Sequence, residues 1–269
     1  MIIGKKKFDT EKQGYIMGIL NVTPDSFSDG GHYNELDAAL FQTEKMLKEG
    51  AAIIDIGGES TRPNHIKISD EEEIQRVVPV IEAVKKNFDT VISLDTYKTP
   101  VAKAGILAGA DLINDIWGLK WDNTMAKVIA DSKVSACLMH NRREMDYTDF
   151  INDVMADLRE TMDMAKEAGI SKDKIMLDPG IGFAKDLSQN RLMMKHLSRM
   201  KEFDVPVLLG TSRKSMIGLT LDLPVDQREE GTMATTVMGY MAGCRFFRVH
   251  NVEANYRALK MTEAICNQE

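Results

Sequence analysis

Cysteine is scarce in this chain. Three residues of 269, Cys137, Cys244 and Cys266, are cysteine, and none shows Cys-x-x-Cys spacing. An odd, scattered set excludes a disulfide scaffold and fits a reducing compartment. The histidines are few as well: His32, His65 and His196 stand without metal-ligand spacing, and no His/Cys cluster suggests zinc. No apolar run reaches the roughly 18 residues of a membrane-spanning helix. The opening Met1-Ile2-Ile3 is followed at once by Gly4 and three lysines, too short for a signal segment. There is no Gly-x-Ser-x-Gly elbow for a covalent hydrolase and no Gly-x-Gly-x-x-Gly in a βαβ setting for a dinucleotide. Positive charge is in deficit: 34 Lys and Arg against 41 Asp and Glu give a formal charge of -7. That excludes a general nucleic-acid binder while leaving room for a local basic pocket. The expectation is a cytoplasmic protein with neither membrane nor nucleic acid as a partner.

What the chain does contain is a recurrence. Short apolar runs at 16–20, 53–56, 91–94, 112–113, 136–139, 175–177, 207–209 and 246–247 each end in polar or charged residues. Helical periodicity fills the gaps, at 36–49, from Ser69 to about Asn87, from Thr99-Pro100, and at 149–168, 189–203, 229–242 and 252–265. Ser69 followed by Asp70, Glu71 and Glu72 marks an N-cap with an acidic first turn, and Gly50 and Gly169 mark helix ends. Eight strands each followed by helix predict one (β/α)8 TIM barrel domain spanning 1–269. A length of 269 residues suits one such barrel. In that fold the strand C-termini share one rim, where function is read. Long polar loops at 21–31, 57–68 and 141–148 would stand on that rim as lids.

Two groups of strand-end residues define the expected chemistry. Asp95, Asn114 and Asp178 close the third, fourth and sixth strands. Carboxylates accept and an amide both donates and accepts, so together they suit a flat heterocycle rich in N–H donors. Buried carboxylates without such a partner are costly. Asp115 suits a helix cap equally well. Arg248 and His250, two apart on the last strand, share a face. With Asn21, Thr61 and Arg62 they make an anion site suited to a diphosphate, or else an exposed ion pair. The Asn21 side-chain oxygen is also a candidate ligand for Mg2+. Lys214, in Ser212-Arg213-Lys214-Ser215, is either an anion ligand or a cation beside the heterocycle. Phe183 is either a face for a planar ligand or an ordinary core side chain. The 18 methionines are most simply core filler.

These residues carry a family resemblance. Asn-Val-Thr-Pro-Asp-Ser-Phe-Ser-Asp-Gly-Gly at 21–31 and Gly-Gly-Glu-Ser-Thr-Arg-Pro at 57–63 resemble the first two loop signatures of the dihydropteroate synthases. The segments at Asp95, Asn114-Asp115, 178–183, 212–215 and 248–250 match in order. The resemblance implies condensation of 6-hydroxymethyl-7,8-dihydropterin diphosphate with 4-aminobenzoate, giving dihydropteroate and diphosphate. It implies that Asp95, Asn114, Asp178 and Lys214 hold the pterin, with Met139 and Phe183 lining its slot. Asn21, Thr61, Arg248 and His250 would hold the diphosphate, with Mg2+ at Asn21. Phe27, Arg62, Pro63 and Ser215, beside Lys214, would border the aminobenzoate. Asp95, Lys214, Arg248 and His250 are the catalytic candidates. A homodimer through the late helices is also implied.

Two positions depart from the family pattern. Asn64 replaces a usual glycine, a change expected to stiffen the loop hinge, and Asn251 replaces a frequent aspartate beside His250, a change expected to alter support for His250. The competing readings are a pterin-dependent methyltransferase, a silent pterin-binding paralogue and a phosphate-binding isomerase. The first needs no Arg248/His250 pair, the second tends to lose the loop chemistry, and the third gives no reason for Asp95, Asn114 and Asp178 together.

Overall fold

The structure, a computed structural model, describes residues 1–22, 32–59 and 67–268, with side chains for all of these but 32–35. A small antiparallel pair, β1 (Ile2–Ile3) and β2 (Lys6–Lys7), comes first. The expected eight strands follow: β3 (Tyr15–Asn21), β4 (Ala51–Gly57), β5 (Val91–Asp95), β6 (Leu112–Asp115), β7 (Ser135–Met139), β8 (Ile175–Asp178), β9 (Leu208–Leu209) and β10 (Phe246–Val249). They are hydrogen-bonded in the order β8-β7-β6-β5-β4-β3-β10-β9, every pair parallel. The two ends of this sheet meet where Leu177 bridges Val207 and donates its N–H to the Pro206 carbonyl at 3.0 Å. The fold is a (β/α)8 barrel.

Helices α1 (His32–Lys48), α2 (Asp70–Asn87), α3 (Thr99–Ala108), α4 (Met125–Ser132), α5 (Phe150–Glu167) and α6 (Leu187–Lys195) follow successive strands. After β9 come a short α7 (Ser215–Leu221) and α8 (Glu229–Ala242), and α9 (Val252–Cys266) follows β10. Their boundaries follow local chemistry. Ser69 accepts the Glu72 N–H at 3.1 Å and opens α2, whose first turn is acidic and last turn basic, as the helix dipole favours. Helix α3 has proline in its first turn and ends at Gly109, where φ is 117°.

One expected helix is two elements. The stretch 189–203 divides into α6 and a 3-10 segment, Leu197–Phe203. A capping box between Asp186 and Gln189 starts α6, and His196, at φ -106° and ψ 17°, ends it. The buried residues that follow, Leu197, Met200 and Phe203, are three apart. That is the period of a 3-10 turn, so the tighter helix keeps all three facing inward.

Strand alternation sorts the barrel's side chains. One set faces the helices in a large core that includes Ile54, Leu94, Ile113, Leu138, Leu177 and Phe247. The other points to the barrel axis. Its lower layer takes one residue from each strand: Met17, Ile53, Val91, Leu112, Cys137, Met176, Leu208 and Phe246. Ile3 and Phe8 from the N-terminal segment pack against this layer and close the barrel floor. Two residues further along, the same inward face reaches Asp55, Ser93, Asn114, Met139, Asp178, Gly210 and Arg248. The site stands on an apolar plug.

Candidate active site

The upper layer converges on Arg248. Its Nε donates to Asp55 Oδ2 at 2.5 Å and its Nη2 to Asp95 Oδ2 at 2.7 Å. Asp55 is fully buried; its second oxygen accepts from Ser93 Oγ at 2.5 Å, and Asn114 Nδ2 reaches Oδ2 at 3.4 Å. Burial works against a charge on Arg248, but Asp55 and Asp95 outweigh it and hold the guanidinium ionised. A carboxylate oxygen is left over. Asp95 Oδ1 is buried and has no hydrogen-bond partner among the described residues. An unmet acceptor in such a place is costly and marks where a ligand donor belongs.

Asp178 and Lys214 complete the cluster. Asp178 Oδ1 accepts the Gly180 N–H at 2.6 Å. A Cβ placed on Gly210 would lie 3.6 Å from Asp178 Oδ2, 3.9 Å from Arg248 Cβ and 3.9 Å from Lys214 Nζ. The glycine therefore leaves open the space these three groups share. Burial raises the carboxyl pKa of Asp178, with Lys214 opposing. Burial pulls Lys214 down to about 8, with Asp178 opposing. Lys214 Nζ donates to the Ile181 carbonyl and stands 4.7 Å from the centre of the Phe183 ring. Beside this cluster is an apolar wall of Tyr97, Ile116 and Met139, with Trp117, Trp121 and Phe183 packed against it. An acidic and amide-bearing floor beside an aromatic wall suits a flat, donor-rich ring.

The rim next to this floor is polar. Asn21 ends β3, and its Oδ1 lies 3.9 Å from the place a Cβ on Gly57 would occupy, with Asp95 Cβ at 3.5 Å from the same point. Across the rim, His250 Nδ1 pairs with Ser212 Oγ at 2.9 Å, and the same oxygen accepts the His250 N–H at 3.1 Å. Ser212 thereby fixes both ring and backbone of His250.

Comparison with known proteins matches this geometry. The profile of the pterin binding enzyme family matches residues 17–250. A dihydropteroate synthase of Clostridium beijerinckii is 56% identical over 266 residues, covering 98% of this chain and 99% of the relative. The chain belongs to the dihydropteroate synthase family. Among solved structures, that of a Clostridium difficile dihydropteroate synthase in the presence of pteroic acid superposes with a TM-score of 0.95 at 46% identity, covering 97% of this chain and all of the other. A Xanthomonas albilineans dihydropteroate synthase with 4-aminobenzoic acid gives a TM-score of 0.91 at 39% identity, covering 97% of this chain and 95% of that one.

Within this dihydropteroate synthase family member, Asp95, Asn114, Met139, Asp178, Phe183, Lys214 and Arg248 lie together, and Asn21 and His250 stand on the same rim. Ser215 is exposed at the first position of α7. Phe27, Thr61, Arg62 and Pro63, with Asn64 and much of the first two loops, lie outside the described residues. Three readings are resolved. Arg248 is no exposed ion pair; it sits between two carboxylates, so the cationic and acidic groups interleave. Asn251 caps α9 by accepting the Ala254 N–H at 3.2 Å, while Ser212 supports His250. Asp115 serves a local turn, accepting from Trp117 N at 2.8 Å and Leu119 N at 2.7 Å.

Sequence reasoning passed over Asp55, which lies inside an apolar run. Its signal is parity: it is two residues from Ile53 and two from Gly57, on the inward face. Also missed is a buried ion cluster beside the wall. Lys98 Nζ meets Glu59 Oε2 at 2.7 Å, Glu73 Oε2 at 2.8 Å and the Ile68 carbonyl at 2.8 Å, and Tyr97 Oη donates to Glu59 Oε1 at 2.8 Å. Nothing in its spacing signals that these residues meet.

Proposed function

We propose that the upper barrel layer divides the work of a dihydropteroate synthase between a ring-binding floor and a leaving-group rim. In that reaction 4-aminobenzoate displaces diphosphate from the methylene carbon of the dihydropterin. Asp95, Asn114 and Asp178 take the pterin's N–H and amino groups, Lys214 lies against the ring, and Met139 and Phe183 flank it. The observation that carries this reading is the buried Asp95 Oδ1, without a hydrogen-bond partner among the described residues, within a cluster that also presents Asp178.

The carbon–oxygen bond to diphosphate breaks with its electron pair going to the diphosphate. Positive charge is left on the methylene and delocalised into the ring. Asp95 and Asp178 stabilise that charge as preorganised dipoles and charges do in other active sites. Arg248 and His250, with Asn21 and Thr61, receive the diphosphate. The arylamine nitrogen forms the new carbon–nitrogen bond and then sheds its proton. No nucleophilic side chain is required. Phe27, Arg62, Pro63 and Ser215 are assigned to the aminobenzoate side.

The donor set fits Mg2+ in one particular way. Among the described residues no cluster of three His, Cys, Asp or Glu side chains is placed to cage a metal. The Asn21 oxygen on the rim is a hard ligand suited to an ion that keeps water and phosphate oxygens as its other ligands. When bound there, Mg2+ neutralises charge on the departing diphosphate.

The chain acts as one barrel unit, in the cytoplasm. No described helix is long and apolar enough to cross a membrane. Met238, Met241, Met261 and Ile265 are exposed on α8 and α9 and support a homodimer through that face. The test is release of diphosphate with formation of dihydropteroate. Product is expected only when both substrates and Mg2+ are present; pterin binding without turnover would overturn the proposal.

A further inference from the structure

Behind the pterin floor lies a second buried network that the reaction does not use. We infer that Lys185 is a positioning residue: it holds the turn 179–183 so that Asp178 at one end and Phe183 at the other meet the ring in register. The inference rests on the pterin-binding role given above.

Lys185 is 7% exposed and lies beneath the turn. Its Nζ donates to the Gly180 carbonyl at 2.9 Å, the Phe183 carbonyl at 2.9 Å and His140 Nδ1 at 2.8 Å. An ammonium has three N–H bonds, and each has an acceptor. Because His140 Nδ1 accepts, its proton sits on Nε2, which faces Asp157 Oδ2 at 2.9 Å. Arg142 then clamps Asp157, Nε to Oδ2 at 2.6 Å and Nη2 to Oδ1 at 3.1 Å. The chain of contacts thus runs from the loop after β7, through α5, to the underside of the ring site. Asn190 fastens the turn from α6, accepting the Gly182 N–H at 2.6 Å and donating to the Lys185 carbonyl at 2.9 Å.

The turn needs such support. Gly180, Gly182 and Ala184 have φ of 70°, 86° and 43°, three left-handed residues within five. Alanine there is strained and persists only when its surroundings dictate the conformation. Packing is close as well: a Cβ on Gly180 would fall 2.0 Å from the His140 carbonyl oxygen and 3.2 Å from Lys185 Nζ. The consequences reach the site directly. Asp178 is oriented by the Gly180 N–H, Lys214 is tied to the Ile181 carbonyl, and the Phe183 ring faces that ammonium.

The experiment compares full-length wild type with Lys185→Met, His140→Asn and His140→Leu. The readouts are 6-hydroxymethylpterin affinity, followed by quenching of emission from Trp117 and Trp121, and separate KM values for the dihydropterin diphosphate and 4-aminobenzoate. Lys185→Met is expected to weaken pterin binding about tenfold or more while the aminobenzoate KM changes less than about threefold. Asparagine places an oxygen near the Nδ1 position and keeps an acceptor for Lys185, so His140→Asn should restore near-wild-type pterin affinity, whereas His140→Leu should resemble Lys185→Met. A role in folding alone would lower thermal stability and leave this split absent. Equal losses toward both substrates, unchanged pterin affinity in Lys185→Met, or equal behaviour of the two His140 variants would overturn the inference. If Lys185→Met fails to fold, the His140 pair decides it. Wild type that does not bind the pterin would defeat the functional reading instead.

Discussion

The lower and upper layers of the barrel interior come from the same strands, two to four residues apart, and obey opposite rules. Below, Met17, Ile53, Val91, Leu112, Cys137, Met176, Leu208 and Phe246 fill the axis with apolar volume. Each fully buried large side chain there contributes roughly 1.5–3 kcal/mol. Above, Asp55, Asp95, Asn114, Asp178 and Arg248 place charge where desolvation opposes it. The contrast shows how the division of labour is built. One layer supplies stability and holds the strand ends still; the other, in the proposed function, spends its geometry on a ligand.

Breaking the upper layer at its centre should have the largest effect. Arg248→Met leaves Asp55 and Asp95 buried without their cation. Removing one member of a buried ion pair costs about 3–5 kcal/mol. Loss of a charge that stabilises the departing group costs about 10²–10³-fold in kcat. Chemical denaturation and diphosphate release on the same preparation should show both losses together. Restored stability in Arg248→Met with Asp55→Asn, without restored turnover, would separate the structural part from the chemical part.

The lower layer should break differently. Phe8 is buried against it, with its ring centre 4.9 Å from Tyr15 and 5.5 Å from Phe246. Phe8→Ala should destabilise by about 3–5 kcal/mol through lost burial and the cavity left behind. The fraction that stays folded should keep its kcat within about twofold, since the rim and the barrel end that Phe8 closes are opposite. A large fall in kcat at full folding would mean the two layers are not separable.

The comparison also explains what the sequence reveals. The eight strands and most helix limits are legible because period and caps are local properties. Asp95, Asn114 and Asp178 are legible because each ends an apolar run. Asp55 is not, because the charge it needs, on Arg248, lies 193 residues away. The Lys185–His140–Asp157 chain is hidden for the same reason: its members come from a loop, a strand end and a helix, and only closure of the barrel brings them together. The 3-10 segment was present as a spacing of three, overshadowed by a helical composition.

Titration sharpens the contrast at intermediate cost. Burial raises the Asp95 carboxyl to about 7, with Arg248 opposing and Asp55 adding to the rise. Pterin-dependent kcat/KM should therefore fall as pH drops through about 7, up to tenfold per unit, as the carboxylate that accepts ring donors is lost. Stability responds with the opposite sign. A folded pKa above the unfolded one means protonation favours the fold, so Asp95 adds stability as pH falls from about 7 toward the model-peptide value of about 4. Burial lowers His140 to about 4, so it stays neutral in the fold while the unfolded chain takes up a proton below about 6.5. His140 therefore removes stability between pH 6.5 and 4. Thermal midpoints of wild type, Asp95→Asn and His140→Asn across pH 4–8 distinguish the two contributions; slopes of the same sign for both would contradict the assignment.

The smallest effect concerns Asn251, which sits next to the rim but belongs to the scaffold. Its side chain accepts the Ala254 N–H at the start of α9, and Ser212 is what orients His250. Asn251→Ala should cost about 1 kcal/mol, the worth of an N-cap, and leave the diphosphate-side kinetics within about twofold. Asn251→Asp keeps an acceptor at the cap and adds a favourable charge at the helix N-terminus, so it should be neutral or stabilising by a few tenths of a kcal/mol. A kcat loss in Asn251→Ala greater than that of Ser212→Ala would transfer support of His250 back to residue 251. The order expected from the structure is the reverse, because Ser212 touches both the ring and the backbone of His250.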